Sequence, residues 1–300
     1  MPAGRRALKA AAFDYERPAS LGQAIALIAD AGREARLIAG GQSLVPMMAM
    51  RLVRPGLLVD LNDVAELAGI ARAGDRLLIG AATRQRTAER SALVRRHLPL
   101  LAAALPWVGH LQTRNRGTVG GSLAHADPSA EIALVAVTLG AEMVLRDLAG
   151  TRTLPAATFL EGPMQTAIRP DEILAETRWP LALQARRVGV GFAEVNARAS
   201  DFAILAAAAE VVLDAEGICR QAALGVGGAS PVPLKAEEVE AALTGRRLED
   251  AHIDAASRLI ADRLQPSGDL QASSGYRRRV APGLLARAIG AARDQALESH

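Results

Sequence analysis

Residues 116–131 read RGTVGGSLAHADPSAE, and residues 36–46 read RLIAGGQSLVP. Each stretch holds two adjacent glycines beside hydroxyl or amide side chains: Gly120 and Gly121 between Thr118-Val119 and Ser122, Gly40 and Gly41 between Ala39 and Gln42-Ser43-Leu44. A backbone without Cβ atoms lets main-chain N–H groups come within hydrogen-bonding distance of a bulky anion. One such pair is explained by a turn. Two in one chain suggest two facing loops that grip a pyrophosphate. Glu131 follows Gly121 by ten positions, and Asp127-Pro128 between them reads as a helix start, with Asp127 as N-cap and Pro128 in the first helical position. Glu131 then falls in the first turn. There it either favours the helix dipole or receives hydroxyl groups of a ribose or ribityl chain; the residues alone leave both readings open.

Other chemistries find little support. No G-x-x-x-x-G-K-[ST] sequence is present, so there is no P-loop. GVGF at 189–192 and GVGG at 225–228 resemble pieces of a dinucleotide fingerprint, but neither leads into a helical pattern, and both read as strand or turn glycines. The five histidines, His97, His110, His125, His252 and His300, show no metal-ligand spacing. His125 near Asp127 suggests an acid–base pair, although a packing or capping role suits so glycine-rich a stretch better. No G-x-S-x-G and no Cys/His nucleophile pair occurs. A chain that binds a large nucleotide without acid–base machinery points to a cofactor that does the chemistry itself.

The elements that must hold these motifs can be read from periodicity. After Pro18 and Ser20, Leu21, Ile25 and Ile28 recur at helical spacing, and Gly32 ends the run. ARLIAGG is a short strand stopped by the glycines, and LLVDLNDV is another. RLLIGAATRQRTAERS predicts a strand, a turn and a helix from about Thr83; SAEIALVAVTLGAEMVLRD predicts a helix that becomes a strand near Ala141. A boundary is expected in the Pro180–Arg187 stretch. Beyond it, two antiparallel strands and a third give way to helices over 235–300. The division expected is 1–62, 63–182 and 183–300.

Composition sets the outer limits. Half of the 300 residues are hydrophobic and 22% are charged, as in an ordinary globular protein. Only eight aromatic residues (four Phe, two Trp, two Tyr) are available, which leaves little to stack on nucleic-acid bases. The net charge is +3, and the run Arg277-Arg278-Arg279 reads as a solvated face or a surface for a partner subunit rather than a nucleic-acid site. The single cysteine, Cys219, excludes an intrachain disulfide, a Cys-ligated zinc site and an iron–sulfur cluster held by this chain alone. With no signal-peptide core and no uninterrupted apolar run of roughly 18 residues, a cytoplasmic protein without a membrane span is expected.

Taken together, AGGQSLVPMMAMRL (39–52) and TVGGSLAHADPSAE (118–131) resemble the FAD-binding medium subunit of the molybdenum hydroxylases, the carbon monoxide dehydrogenase and xanthine dehydrogenase group. The resemblance extends to FDYERPASLGQAIAL near the start, IGAATRQ at 79–85, RASDFAI at 198–204 and DLQASSGYRRRVAPGLLARA at 269–288. It implies an α+β fold of the vanillyl-alcohol-oxidase (PCMH) type: two subdomains that hold FAD between them, then a C-terminal domain with a three-stranded antiparallel sheet and helices. It implies that Ala39, Gly40, Gly41, Gln42, Ser43 and Leu44 wrap the FAD diphosphate together with Thr118, Val119, Gly120, Gly121 and Ser122. Arg36 stands where the family often has lysine, and Glu131 where an acid, often aspartate, holds a cofactor hydroxyl group. Ile168 and Phe202 fall near positions that pack close to the flavin. Some relatives carry a lysine before the RASDFA stretch, where this chain has Ala193-Glu194, which argues against a lysine contact there.

The function so implied is an electron-transfer subunit. A large subunit would carry the molybdenum cofactor and oxidise the substrate, a small one would carry two [2Fe–2S] clusters, and this chain would carry FAD and deliver electrons to an external acceptor, in a dimer of heterotrimers. Two other readings compete. A self-sufficient FAD oxidase of the same fold would need acid–base residues in 181–300, where no convincing set appears. A non-catalytic nucleotide-binding protein would show no flavin spectrum.

Overall fold

The computed structural model describes residues 9–31, 34–181, 187–198 and 200–298. The expected helix stop at Gly32, the boundary at 182/183 and His300 lie outside these residues.

The chain builds three layers of sheet in order. The first holds β1 (Asp14–Glu16), α1 (Leu21–Ala31), β2 (Ala35–Ile38), α2 (Leu44–Ala49) and β3 (Leu57–Asp60), with the strands parallel in the order β1-β3-β2. Parallel strands require crossovers, and α1 (between β1 and β2) and α2 (between β2 and β3) lie in them; Leu21, Ala24, Ile25 and Ile28 form the buried stripe of α1, as their spacing predicts.

The second region runs through β4 (Ile70–Ala73), β5 (Arg76–Gly80), α3 (Gln85–Arg90), α4 (Ala92–His97), α5 (Pro99–Ala104), α6 (Leu111–Arg116), α7 (Val119–His125) and α8 (Glu131–Leu139). It continues with β6 (Glu142–Arg146), β7 (Thr151–Pro155), α9 (Ala156–Phe159), the hairpin β8 (Leu160–Gly162) and β9 (Gln165–Thr166), and β10 (Ile173–Pro180). Its five-stranded sheet runs β4-β5-β10-β6-β7. β10 is therefore the centre of the sheet. Pro180 is tolerated as the last residue of the strand, where no further ladder bond is required of it. The helix expected from Thr83 begins at Gln85, because Thr83 Oγ1 is engaged with Gly69, accepting from its N–H and donating to its carbonyl, both at 3.0 Å.

The third region is an antiparallel sheet of β11 (Arg187–Val195), β12 (Leu205–Leu213), β13 (Cys219–Gly227) and β14 (Leu234–Lys235), followed by α10 (Glu237–Leu243), α11 (Asp250–Ser257) and α12 (Ser274–Glu298). Three long strands match the expected sheet; the two-residue β14, paired with Gly225 and Val226, makes it four. Both faces of this sheet are covered. Leu205, Ala207, Ala209 and Val211 face the C-terminal helices, whereas Ala206 and Ala208 join the core of the second region. The glycines of GVGF and GVGG explain how closely the layers pack. A Cβ on Gly189 or Gly191 would overlap the α12 backbone at Ala292 or Ala288, and one on Gly225 would overlap Thr138 and Leu134 of α8. These are packing glycines, as their strand context implied.

The run at 277–279 departs from expectation. Arg277 is 5% exposed; it donates to the Ile204 and Gly228 carbonyls and pairs with Asp269 at 2.5 Å. Only Arg278 and Arg279 remain exposed. No helix among the described residues is long and apolar enough to cross a membrane.

Candidate functional site

The two glycine motifs meet. Gly40 packs on the segment before α7, where a Cβ would lie 2.6 Å from the Arg116 carbonyl oxygen and 2.7 Å from Gly117 Cα. Their local structures differ, however. Residues 39–43 form a loop between β2 and α2, with Gly41 at φ +71°, a left-handed conformation that favours glycine. Among the described residues, the backbone N–H groups of Gly40, Gly41, Gln42, Ser43 and Leu44 have no acceptor in the protein. The Gly40 carbonyl is taken by Gln42 Nε2 at 3.1 Å. Five consecutive N–H groups with no acceptor among the described residues, around a left-handed glycine, offer donors to an anion.

Thr118–Ser122 is not a second such loop. Thr118 is the N-cap of α7, its Oγ1 accepting from Gly121 N at 3.0 Å. Val119 N donates to the Thr83 carbonyl, Gly120 N to that of Ala81 and Ser122 N to that of Thr118, so these N–H groups are engaged inside the fold. Gly120 is buried against Ala81. Gly121 is different: a Cβ there would meet only Thr118, at 2.6 Å to Oγ1, and the space beyond is open. The second motif thus offers a side-chain-free wall rather than a set of donors. A helix start with glycine at its second and third positions was not legible from a Thr-Val-Gly-Gly-Ser string that reads equally well as a turn.

Arg84, which sequence reasoning passed over, links the segment before α7 to Asn62, just past β3. It flanks α3, donates to the Arg116 carbonyl and bonds Asn62 Oδ1 at 2.6 Å. Burial and then the neighbouring Arg116 hold its pKa below the ordinary arginine value, against the pull of Asp60. Its signal was positional: a basic residue in IGAATRQ just after a strand, at the N-terminus of a helix. Arg36 lies exposed on β2 with its guanidinium donating to the Ala35 carbonyl at 2.9 Å.

Glu131 opens α8 but not as predicted. Asp127 closes a turn, accepting from Ser129 N at 2.9 Å through Oδ1 while its carbonyl takes Ala130 N, and Ala130 is the N-cap. Asp127 thus closes a turn of its own, and the helix starts three residues later than expected. Glu131 is 8% exposed. Burial first, then the carboxylates of Glu194 and Asp127, push its pKa up to about 7, with its own N–H and Arg114 opposing. His125 ends α7, followed by Ala126 at φ +53°. Ile168 packs against the second core beside β9, a strand that lies against α7, and the preceding Ala167 carbonyl is held by Arg152 at 2.6 Å. Phe202, in the β11–β12 connection, is 71% exposed.

These features fit a dinucleotide diphosphate with a sugar or ribityl chain attached: free N–H donors, a wall without side chains, a cation behind it, and a buried acid short of donors.

Comparison with known proteins places the chain among relatives of one kind. Residues 11–182 match the family described as the FAD binding domain in molybdopterin dehydrogenase, and residues 191–292 match the CO dehydrogenase flavoprotein C-terminal domain. The chain is 37% identical, over 95% of its length and 96% of the relative's, to the 6-hydroxypseudooxynicotine dehydrogenase complex subunit alpha of Paenarthrobacter nicotinovorans. Among solved structures it resembles quinoline 2-oxidoreductase from Pseudomonas putida 86 with a TM-score of 0.91 and 35% identity, covering 96% of this chain and 99% of that one. It resembles equally, at TM-score 0.91 and 32% identity over the same shares, the carbon monoxide dehydrogenase of Hydrogenophaga pseudoflava that lacks the Mo-pyranopterin moiety of the molybdenum cofactor.

Proposed function

The chain belongs to the family of FAD-binding medium subunits of the molybdenum hydroxylases, and from that premise we propose that it carries electrons between [2Fe–2S] clusters on a small subunit and an external acceptor. In this reading a large subunit holds the molybdenum cofactor and oxidises the substrate, and the assembly is a cytoplasmic dimer of heterotrimers. The observation that carries the site assignment is the run of unpaired N–H groups from Gly40 to Leu44, pressed against residues 116–117.

Bound FAD supplies the redox chemistry, accepting electrons and passing them on. The residues of this chain hold and orient it. Gly40 to Leu44 donate to the diphosphate, Gly121 and Ser122 form the facing wall beside Thr118 and Val119, and Gly120 seats that wall on Ala81. Arg84 and Arg36 offset the diphosphate charge, Glu131 accepts from a cofactor hydroxyl group, and Ile168 and Phe202 lie toward the ring. An exposed phenylalanine such as Phe202 costs apolar surface in water, which a bound ring system would recover. The functional divisions are 1–62, 63–182 and 183–300.

An absorption spectrum of the chain purified with its partner subunits, followed by heat release and chromatography, tests this. FAD in about equal amount to the chain, with iron and molybdenum in the complex, is expected. FAD without iron or molybdenum would favour a self-sufficient oxidase, and no flavin at all would overturn the site assignment.

A further inference from the structure

The contact between Gly40 and the segment before α7 is one link in a closed circuit of contacts. The Arg116 carbonyl oxygen, which a Cβ on Gly40 would meet at 2.6 Å, also accepts from Arg84 Nη1. Arg84 Nη2 donates to Asn62 Oδ1 at 2.6 Å. The N–H and Nδ2 of Asn62 donate to Asp60 Oδ1 at 2.9 and 2.5 Å, and Asp60 stands opposite Ile38 where β2 pairs with β3. Leu61 N donates to the Ile38 carbonyl at 2.9 Å, and the chain runs on from Ile38 through Ala39 to Gly40. The main chain of Arg84 is fixed as well. It bridges Thr118, while the Thr83 carbonyl accepts from Val119 N and Gln85 N donates to the Gly117 carbonyl.

Asp60 anchors this circuit. It is 7% exposed, and its second oxygen accepts from the Tyr15 hydroxyl. Its charge is thus committed to Tyr15 and Asn62 and meets Arg84 only through the Asn62 amide. Arg84 itself is held by two neutral acceptors, the Arg116 carbonyl and the Asn62 amide oxygen. Among the described residues it forms no ion pair: Asp63 is paired with Arg17, and Glu89 with Arg86 and Arg114. A guanidinium carries five N–H donors. Two are used, and the other three meet no acceptor among the described residues. A half-buried cation, fixed in one orientation by neutral groups and left without a counter-charge, suits an anion that the protein does not supply.

We propose that Arg84 donates directly to the cofactor diphosphate, and that Asn62 and Asp60 are positioning residues that aim its guanidinium. The proposal rests on the assignment of residues 40–44 to the FAD diphosphate. It goes further in making orientation, and not charge alone, the contribution of Arg84.

The test uses the full chain stripped of flavin and measures binding of FAD, ADP and riboflavin, the last of which has no phosphate. Arg84→Lys keeps the charge and loses the planar fork; it should weaken FAD and ADP by about ten- to a hundredfold, the scale of hydrogen bonds to charged groups. Asn62→Ala keeps Arg84 and frees one arm of it; FAD and ADP should weaken by about two- to tenfold. Riboflavin binding should be unchanged in both variants. A loss confined to phosphate-bearing ligands is not what a general loosening of the fold produces. Circular dichroism checks that each variant is folded, and Asn62→Ala decides alone if Arg84→Lys is not. FAD and ADP bound by the folded variants as tightly as by the parent would overturn the proposal and leave the cofactor assignment standing. Equal losses for all three ligands would overturn it too, by giving the circuit a role in stability only. No FAD binding by the parent chain would overturn the assignment itself, and the role of Arg84 with it.

Discussion

Replacing Gly40 by alanine adds one methyl group at the point where the two glycine motifs touch. That methyl would stand 2.6 Å from the Arg116 carbonyl oxygen and 2.7 Å from Gly117 Cα, both backbone atoms, whereas ordinary contact begins near 3.4 Å. Residues 116–117 would have to retreat by about 0.8 Å to restore ordinary contact. Overpacking of this kind costs about 1–3 kcal/mol. If the strain falls on the geometry that binds the diphosphate, the FAD dissociation constant rises by about 5- to 150-fold, at 1.4 kcal/mol per tenfold. Gly22→Ala is the control, since nothing lies within 4 Å of a Cβ there. Flavin fluorescence titration of the stripped chain measures the affinity. An unchanged dissociation constant in Gly40→Ala would refute the reasoning, whatever happens to the melting temperature, because it would mean that the contact between the motifs does not shape the binding site.

Two further outcomes concern stability. Glu210 lies on the covered face of β12 with Oε2 unpartnered, and burial pushes its pKa to about 7. Its folded-state pKa exceeds the unfolded value, so stability falls as pH rises from about 4.5 to 7, by about 3 kcal/mol in full; Glu210→Gln should raise the melting temperature clearly at pH 8 and hardly at pH 5, and equal gains at both would contradict the assignment. Gly290, inside α12 with open space around its Cα, should accept alanine with a gain of up to about 1 kcal/mol in urea denaturation, and a loss would show that the helix needs the glycine.

Short-range chemistry was the legible part of this chain. The stripe of α1, the end of β2 before Gly40-Gly41, and the switch from helix to strand at Gly140, which takes a left-handed φ of +68°, all follow from neighbours in sequence. What the string concealed was decided by distant partners. Thr118–Ser122 became a helix because Thr83 and Ala81 receive its first N–H groups. Arg277 left the surface because two carbonyls far along the chain needed a donor. Glu194 had a faint signal, since alternation along VGVGFAEV sets it on the same side as Val190 and Phe192, an acid in an apolar row.

The buried guanidinium of Arg277 also bears on the order in which this protein is made. It reaches back 73 residues to hold the Ile204 carbonyl, and at the same time grips Gly228, so the two ends of the sheet nearest the Phe202 connection are fastened from the last helix. During synthesis the N-terminal regions emerge first and can begin to fold. The connection between β11 and β12, by contrast, stays unlatched until α12 has left the ribosome. The latch on this connection is thus supplied by residues synthesised well after the strands that it fastens, so this edge of the sheet is completed later than the rest of it.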